Sequence, residues 1–229
     1  AQSAGVRLSM HPGQYTVLNS PNPVVVKRAL DDLRYHARFL DAMGLSKQHK
    51  IVLHIGGVYG DKPGAINRFI KQYRCLDENI RQRLVIENDD RQYTISEVLS
   101  IGKNEGIPVV FDNLHHQVNP DHCYTDMEWI KTCANTWKPE DGPQKIHYSQ
   151  QNPGKRPGSH SYTIDVNKFL VFYERLHNQD IDIMLEVKDK NLSAIKCMLI
   201  SSCLYDFSYN FVKRFQLFIL GFKFLILHS

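Results

Sequence analysis

The chain is 229 residues long, 42% hydrophobic and 23% charged, with a formal net charge of +4. That is the composition of an ordinary soluble globular protein, long enough for one large domain with a sizeable core. The mild positive charge permits a nucleic-acid partner without requiring one. Five cysteines (Cys75, Cys123, Cys133, Cys197, Cys203) form no Cys-x-x-Cys pair. They argue against a disulfide framework or a thiolate zinc site, and for reduced thiols in a cytoplasmic setting.

Short runs rich in Val and Ile alternate with longer helical patterns. The first strand is predicted at Val6–His11. A helix then starts at Pro23 and places Val26, Leu30, Leu33, Ala37 and Leu40 on one face, with Gly44 as its left-handed stop. A strand at Ile51–Ile55 precedes a second helix after Asp61-Lys62-Pro63, with Ile66, Phe69, Ile70 and Tyr73 facing inward. The strand Leu84–Glu87 leads to a helix opened by Thr94-x-x-Glu97, which has the form of a capping box, and closed near Gly106. Strands at Pro108–Asp112, Lys145–Tyr148 and Ile181–Glu186 follow, interleaved with helices at Asp126–Trp137 and Asp165–Leu176. Continuous apolar strands alternating with helices predict an α/β protein with a parallel sheet buried on both faces, of the TIM (β/α)8 type. A closed barrel of that type has eight strands, so the first two β-α units are expected to be absent from this chain.

No signal peptide is expected. At the other end, Phe207–Leu227 is crowded with Phe, Leu and Ile but interrupted by Lys213, Arg214 and Lys223. A membrane span wants about 20 predominantly apolar residues, so a final barrel helix or a tail foreign to the domain is expected instead. Residues 1–190 are assigned to the barrel domain and 191–229 to a divergent hydrophobic tail.

The chemistry lies in how the strands end. The six predicted strands terminate in His11, His54, Glu87, Asp112, His147 and Glu186. In a parallel barrel these ends share the face on which active sites are built. Imidazoles and carboxylates brought together there repel or stay poorly solvated without cations among them. A donor set without thiolate suits Mn²⁺, Zn²⁺ or Fe²⁺. Any one of these residues could be a cap or a hydrogen-bonded core group, but six at matching positions point to a metal cluster. His115 and His160 extend the set, and His116 is read as a supporting residue. Lys145 lies two residues before His147 and so points to the same side. It is either a salt-bridged lysine or, as a carbamate, an anionic ligand. Several metals at such a site suit phosphoryl displacement or sugar isomerisation, and the ligand set leaves both open.

Ser9-Met10-His11-Pro12-Gly13-Gln14-Tyr15, His54-Ile55-Gly56-Gly57, Leu84-Val85-Ile86-Glu87-Asn88-Asp89, Phe111-Asp112 with His115-His116, and Lys145-Ile146-His147-Tyr148-Ser149 resemble the UV damage endonuclease family. The resemblance runs in order from about Gly5 to Lys190. It implies a TIM barrel related to endonuclease IV, with two or three divalent ions, commonly Mn²⁺, with Zn²⁺ or Mg²⁺ as alternatives. It also implies a monomer that nicks double-stranded DNA 5′ to cyclobutane pyrimidine dimers, 6-4 photoproducts and abasic sites, leaving a 3′-hydroxyl. Carried over, the ligands are His11, His54, Glu87, Asp112, His115, His147, His160 and Glu186. Glu87, Glu186 and a carboxylated Lys145 stand at the catalytic centre. Gln14 and Tyr15 match the pair pushed into the duplex at the lesion, where an amide replaces lost base hydrogen bonds and a ring stacks in the gap. Lys155 and Arg156 are assigned to DNA phosphates. The family's first strands, with one more histidine ligand and a further aromatic, would precede Ala1. A metal-dependent sugar isomerase and an inactive binder of damaged DNA are the competing readings.

Overall fold

The computed structural model describes residues 6–176 and 179–205. The hydrophobic stretch Phe207–Leu227 lies outside the described residues. The chain divides into two units, Ala1–Gln144 and Lys145–Ser229.

The first unit runs β1 (Ser9–Met10), α1 (Pro23–Ala42), β2 (Lys50–His54), α2 (Lys62–Arg74), α3 (Glu78–Arg81), β3 (Leu84–Glu87), α4 (Ile95–Glu105), β4 (Val109–Asp112), α5 (Asn113–Val118) and α6 (Asp126–Ala134). The strands pair in chain order and all in parallel, with Met10 opposite Ile51, His54 opposite Glu87 and Glu87 opposite Val110. The helices begin where side chains can satisfy their first N–H groups. Asn22 accepts from the Val24 N–H at 2.9 Å and Asp61 from the Gly64 N–H at 3.0 Å. The Thr94 N–H donates to Glu97 at 2.9 Å, closing the expected capping box, and Thr125 with Glu128 forms a second. Gly44 and Gly106, the expected helix stops, both stand at φ 69°. Val26, Ala29, Leu33, Ala37 and Leu40 of α1 are buried. On α2 the buried residues are Ala65, Phe69 and Tyr73, while Ile66 and Ile70 lie at the edge of the buried face.

Residues two apart on a strand share a face, and one face of the sheet reads in layers. Lys50 and Arg83 lie at the start of β2 and just before β3, both fully buried. Val52, Val85 and Val110 pack together as the next layer, with Trp137 against them. His54, Glu87 and Asp112 come two residues further on. The cations of the first layer are neutralised locally: Lys50 Nζ meets Asp141 at 2.5 Å, and Arg83 meets Asp41 at 2.5 Å and the Leu45 carbonyl at 2.8 Å. Beside them, Arg7 donates to the carbonyls of Asp141 and Pro143. These ties shorten the first strand from the predicted Val6–His11. Arg7 reaches away to those carbonyls and the Leu8 N–H donates to His49 Nδ1 at 2.7 Å, so the ladder begins at Ser9.

The second unit carries β5, which starts at Gln144 and ends at Tyr148, then α7 (Val166–Arg175), β6 (Ile181–Leu185) and α8 (Asn191–Tyr205). β5 and β6 are neighbours, and the Glu186 N–H continues their pairing to the Tyr148 carbonyl at 3.0 Å. Asp165 caps α7 through the Asn167 N–H at 3.0 Å. Tyr148 packs on Phe169 and Phe172, with ring centroids 5.4 and 4.6 Å away. Among the described residues Cys75, Cys123, Cys133 and Cys197 are free thiols. Burial pushes the pKa of Cys133 up. No helix among the described residues is long and apolar enough to cross a membrane.

Candidate metal centre

In the first unit the expected ligands gather around Glu87. Its carboxylate is fully buried, and one oxygen faces His11 Nε2 at 2.6 Å and His54 Nε2 at 3.0 Å. The β2–β3 register sets His54 directly opposite Glu87. His11 follows β1 by one residue, and His54 stands between two other imidazoles, with ring centroids 5.3 Å from His11 and 5.4 Å from His115. Glu87, Asp112 and His115 each offer a ligand atom within 4.8 Å of the others.

His115, three residues after Asp112 and so able to swing back over the strand end, does so through a short helix. Asp112 ends β4 and at once caps α5, accepting the His115 N–H at 2.8 Å, so one helical turn brings the imidazole back over the strand end. The Asn88 carbonyl can only accept, so the 3.0 Å contact from His115 Nδ1 places the proton there and leaves the Nε2 lone pair for a cation. His11 repeats this pattern, with Nδ1 3.1 Å from the Pro12 carbonyl and Nε2 toward Glu87. Burial lowers the pKa of His54 below its ordinary value, outweighing the attraction of Glu87, and so keeps the ring in its neutral, ligating form. Its buried Nδ1 has no hydrogen-bond partner among the described residues. Lone pairs and carboxylate oxygens facing one another at these distances fit divalent cations held by nitrogen and oxygen.

His116, by contrast, turns away. It is buried against Phe111 and Trp129, near Asp126 at 3.6 Å, and desolvation lowers its pKa. This agrees with its reading as a supporting residue.

In the second unit Glu186 brings two histidines together. One carboxylate oxygen lies 3.3 Å from His147 Nδ1 and the other 3.4 Å from His160 Nε2. His160 is held there by an antiparallel bridge to Gln151. Lys145 is fully buried, two residues before His147 on β5. Lys155 and Arg156 are exposed, and the Gln151 amide braces their loop by donating to the Arg156 carbonyl at 3.0 Å.

Gln14 and Tyr15 occupy the tip of a tight turn closed by the Thr16 N–H donating to the Gly13 carbonyl at 2.9 Å. Both are exposed, Tyr15 by 80%. Thr16 is buried and its hydroxyl donates to Asp32 of α1, which anchors the turn. Sequence reasoning passed over Asp32 and quoted Asn88 within a motif without giving it a role. Asn88 is buried and its side chain makes a closed pair with the Asp112 backbone, donating to its carbonyl at 3.0 Å and accepting its N–H at 2.9 Å. An amide directly after a strand-ending glutamate was the available signal.

A family model described as UV-endonuclease UvdE matches residues 1–213. The chain belongs to the UvdE family. It is 47% identical over 194 residues to the UV DNA damage endonuclease of Clostridium perfringens, an alignment covering 84% of this chain and 47% of that protein. With the UV DNA damage endonuclease of Bacillus pumilus it shares 36% identity, over 84% of this chain and 61% of the relative. The chain thus spans about half to three fifths of the length of these UvdE relatives. The crystal structure of SacUVDE superposes with a TM-score of 0.83 at 41% identity, covering 89% of this chain and 68% of that one. A D-tagatose 3-epimerase-like protein superposes with a TM-score of 0.65 at 17% identity, over 90% of this chain and 79% of that one, and shows the fold alone. The fold class of this UvdE chain is the expected α/β barrel type.

Proposed function

We propose that this UvdE-family chain acts in DNA repair as a metal-dependent endonuclease, cutting the backbone immediately 5′ to pyrimidine dimers, 6-4 photoproducts and abasic sites. The observation that carries the reading is the buried Glu87 oxygen shared by His11 and His54, in a chain whose family match spans 1–213. His11, His54, Glu87, Asp112 and His115 from the first unit, and His147, His160 and Glu186 from the second, are the proposed ligands of two or three divalent ions, Mn²⁺ foremost. When bound, such ions activate a water and stabilise the attacking and leaving oxygens of an in-line displacement.

The chain's own residues do the rest. Asn88 and Pro12 carbonyls hold the His115 and His11 protons on Nδ1, so that Nε2 faces the centre. Gln14 and Tyr15, on their anchored turn, enter the duplex at the lesion, and Lys155 and Arg156 meet backbone phosphates. Lys145 is fully buried, where an ammonium is costly; addition of carbon dioxide to its neutral amine, with loss of a proton, would make it a carbamate and supply an anion on the side of β5 that carries His147. In the cut itself the water oxygen joins phosphorus and the P–O3′ bond breaks, leaving a 3′-hydroxyl and a 5′-phosphate.

The test is incision of a duplex with one pyrimidine dimer at a known position, in Mn²⁺ and in EDTA. A nick 5′ to the dimer in Mn²⁺ alone is the expected result. An intact strand in Mn²⁺ refutes the reading. Selective binding without cutting then favours the inactive binder, and turnover of a ketose favours the isomerase.

A further inference from the structure

The loop Gly56–Gly60, which follows the strand-end His54, holds an aromatic ring at a cost that the fold does not require. Tyr59 stands at φ 51°, a region in which a bulky side chain is an outlier, and such outliers gather at ligand clamps. Burial does not compensate for it, because Tyr59 is 47% exposed.

The ring is nevertheless fixed. It lies so close over Gly57 that a Cβ there would meet it at 3.1 Å. The Arg68 guanidinium of α2 stands 5.7 Å from its centroid. Arg68 is itself held by its Nε donating to the Asn19 carbonyl at 2.9 Å. Fully buried Asn19 then donates to the Gly57 carbonyl at 2.7 Å. Gly56, at φ 111°, permits this close approach, since a Cβ there would lie 2.7 Å from Val17 and overlap the Asn19 amide. Asn19 and Val17 belong to the β1–α1 loop that also displays Gln14 and Tyr15. Tyr59 and Tyr15 therefore stand on two interlocked loops, at the C-terminal ends of neighbouring parallel strands.

A half-exposed aromatic ring with a guanidinium over it offers accessible aromatic surface and adjacent positive charge. Those are the features by which proteins stack a nucleobase beside its phosphate, whatever the base. We propose that Tyr59 is a second stacking residue of the site, taking a nucleobase of the DNA near the position engaged by Gln14 and Tyr15, with Arg68 as the residue that positions its ring. This rests on the DNA reading above.

The test compares wild type with Tyr59→Ala, Tyr59→Phe and Tyr59→Gly, using dimer-containing duplex. Binding is read by fluorescence anisotropy in EDTA, and incision by steady-state kinetics in Mn²⁺. Tyr59→Ala should raise Kd and KM about tenfold or more, with kcat and metal content unchanged, and Tyr59→Phe should restore both. Tyr59→Gly should bind as weakly as Tyr59→Ala yet melt at a higher temperature than wild type, because glycine accepts positive φ without strain. Wild-type protein that neither binds nor cuts the duplex overturns the endonuclease reading and this inference together. Wild type that cuts, with Tyr59→Ala matching it in Kd and KM, overturns this inference alone. So does a Tyr59→Gly variant that melts lower than wild type, since that makes the ring part of the fold.

Discussion

Replacing Asn88 by alanine should damage both the sheet and the proposed metal centre. Its side chain gives the Asp112 backbone one donor and one acceptor, at 3.0 and 2.9 Å, and is 1% exposed. A buried hydrogen bond removed on one side costs about 1–3 kcal/mol. Two such bonds put the loss at roughly 2–6 kcal/mol, a large part of the ~5–15 kcal/mol that holds a domain together. At about 2–4 °C per kcal/mol for a chain of this size, the melting temperature should fall by roughly 4–24 °C. The same change frees the end of β4, where Asp112 caps the helix carrying His115. It also loosens the Asn88 carbonyl that fixes the His115 tautomer. Losses of that outer kind lower metal affinity about 10- to 100-fold. Calorimetric melts without added metal, paired with Mn²⁺ titrations, read the two effects separately. A melt within about 2 °C of wild type, with unaltered Mn²⁺ affinity, would refute the reasoning. A lowered melt with unaltered affinity would show that Asn88 ties the strands without orienting His115.

Glu87→Gln removes the anion shared by His11 and His54, and should cost at least one bound ion by elemental analysis and about 100-fold in incision; full metal loading would place the centre elsewhere. For Lys145, a high-resolution map of crystals grown with Mn²⁺ and bicarbonate should show three extra atoms beyond Nζ, and a bare ammonium would sink the carbamate. Gln14→Ala with Tyr15→Ala should reduce the preference for dimer-containing over intact duplex by about tenfold or more at unchanged metal content. Asp32→Ala, which frees Thr16 and the base of that turn, should move the preference the same way but less. A further prediction concerns acid. Burial raises the Asp41 pKa, but hydrogen bonds from Arg83, Lys47 and Asn79 outweigh it and draw it down to about 2. A carboxylate whose folded pKa lies below its unfolded value of about 3.9 contributes stability above that pH and loses it as pH falls through about 2. Asp41→Asn should therefore lower the melting temperature near neutrality and flatten its decline between about pH 4 and 2, and a parallel decline in both proteins would refute the linkage.

The parts of the fold that could be read from the sequence are those with a period or a chemical mark. Helix α1 has an apolar stripe with a proline at its start, α4 has Thr94 and Glu97, and the strands are short apolar runs. Helices α3 and α5, of 4 and 6 residues, are too short to show a helical period, and both went unread. The missed α5 matters most, because it turns the spacing from Asp112 to His115 into a contact. Lys50 and Arg83 were also missed, for a different reason. A lysine or arginine flanking a strand ordinarily points to water, and only the fold shows that Asp141, Asp41 and a row of carbonyls stand ready to receive them.

Those two cations bear on how the proposed centre is built on such short strands. Lys50 and His54 are four residues apart, as are Arg83 and Glu87, so each pair shares a face of its strand and lies about 13 Å apart along it. Val52 and Val85 fill the layer between. A cation beside Glu87 would compete with metal for its carboxylate. At the far end of the same strand it satisfies carbonyls and aspartates and leaves the ligand layer to imidazoles and carboxylates. The proposed centre is thus one layer of a period-2 pattern in which buried cations, packed valines and the candidate ligands follow one another along the same face. A sequence reader who follows the whole face, cation to valine to ligand, can find such a site even in a strand of four residues.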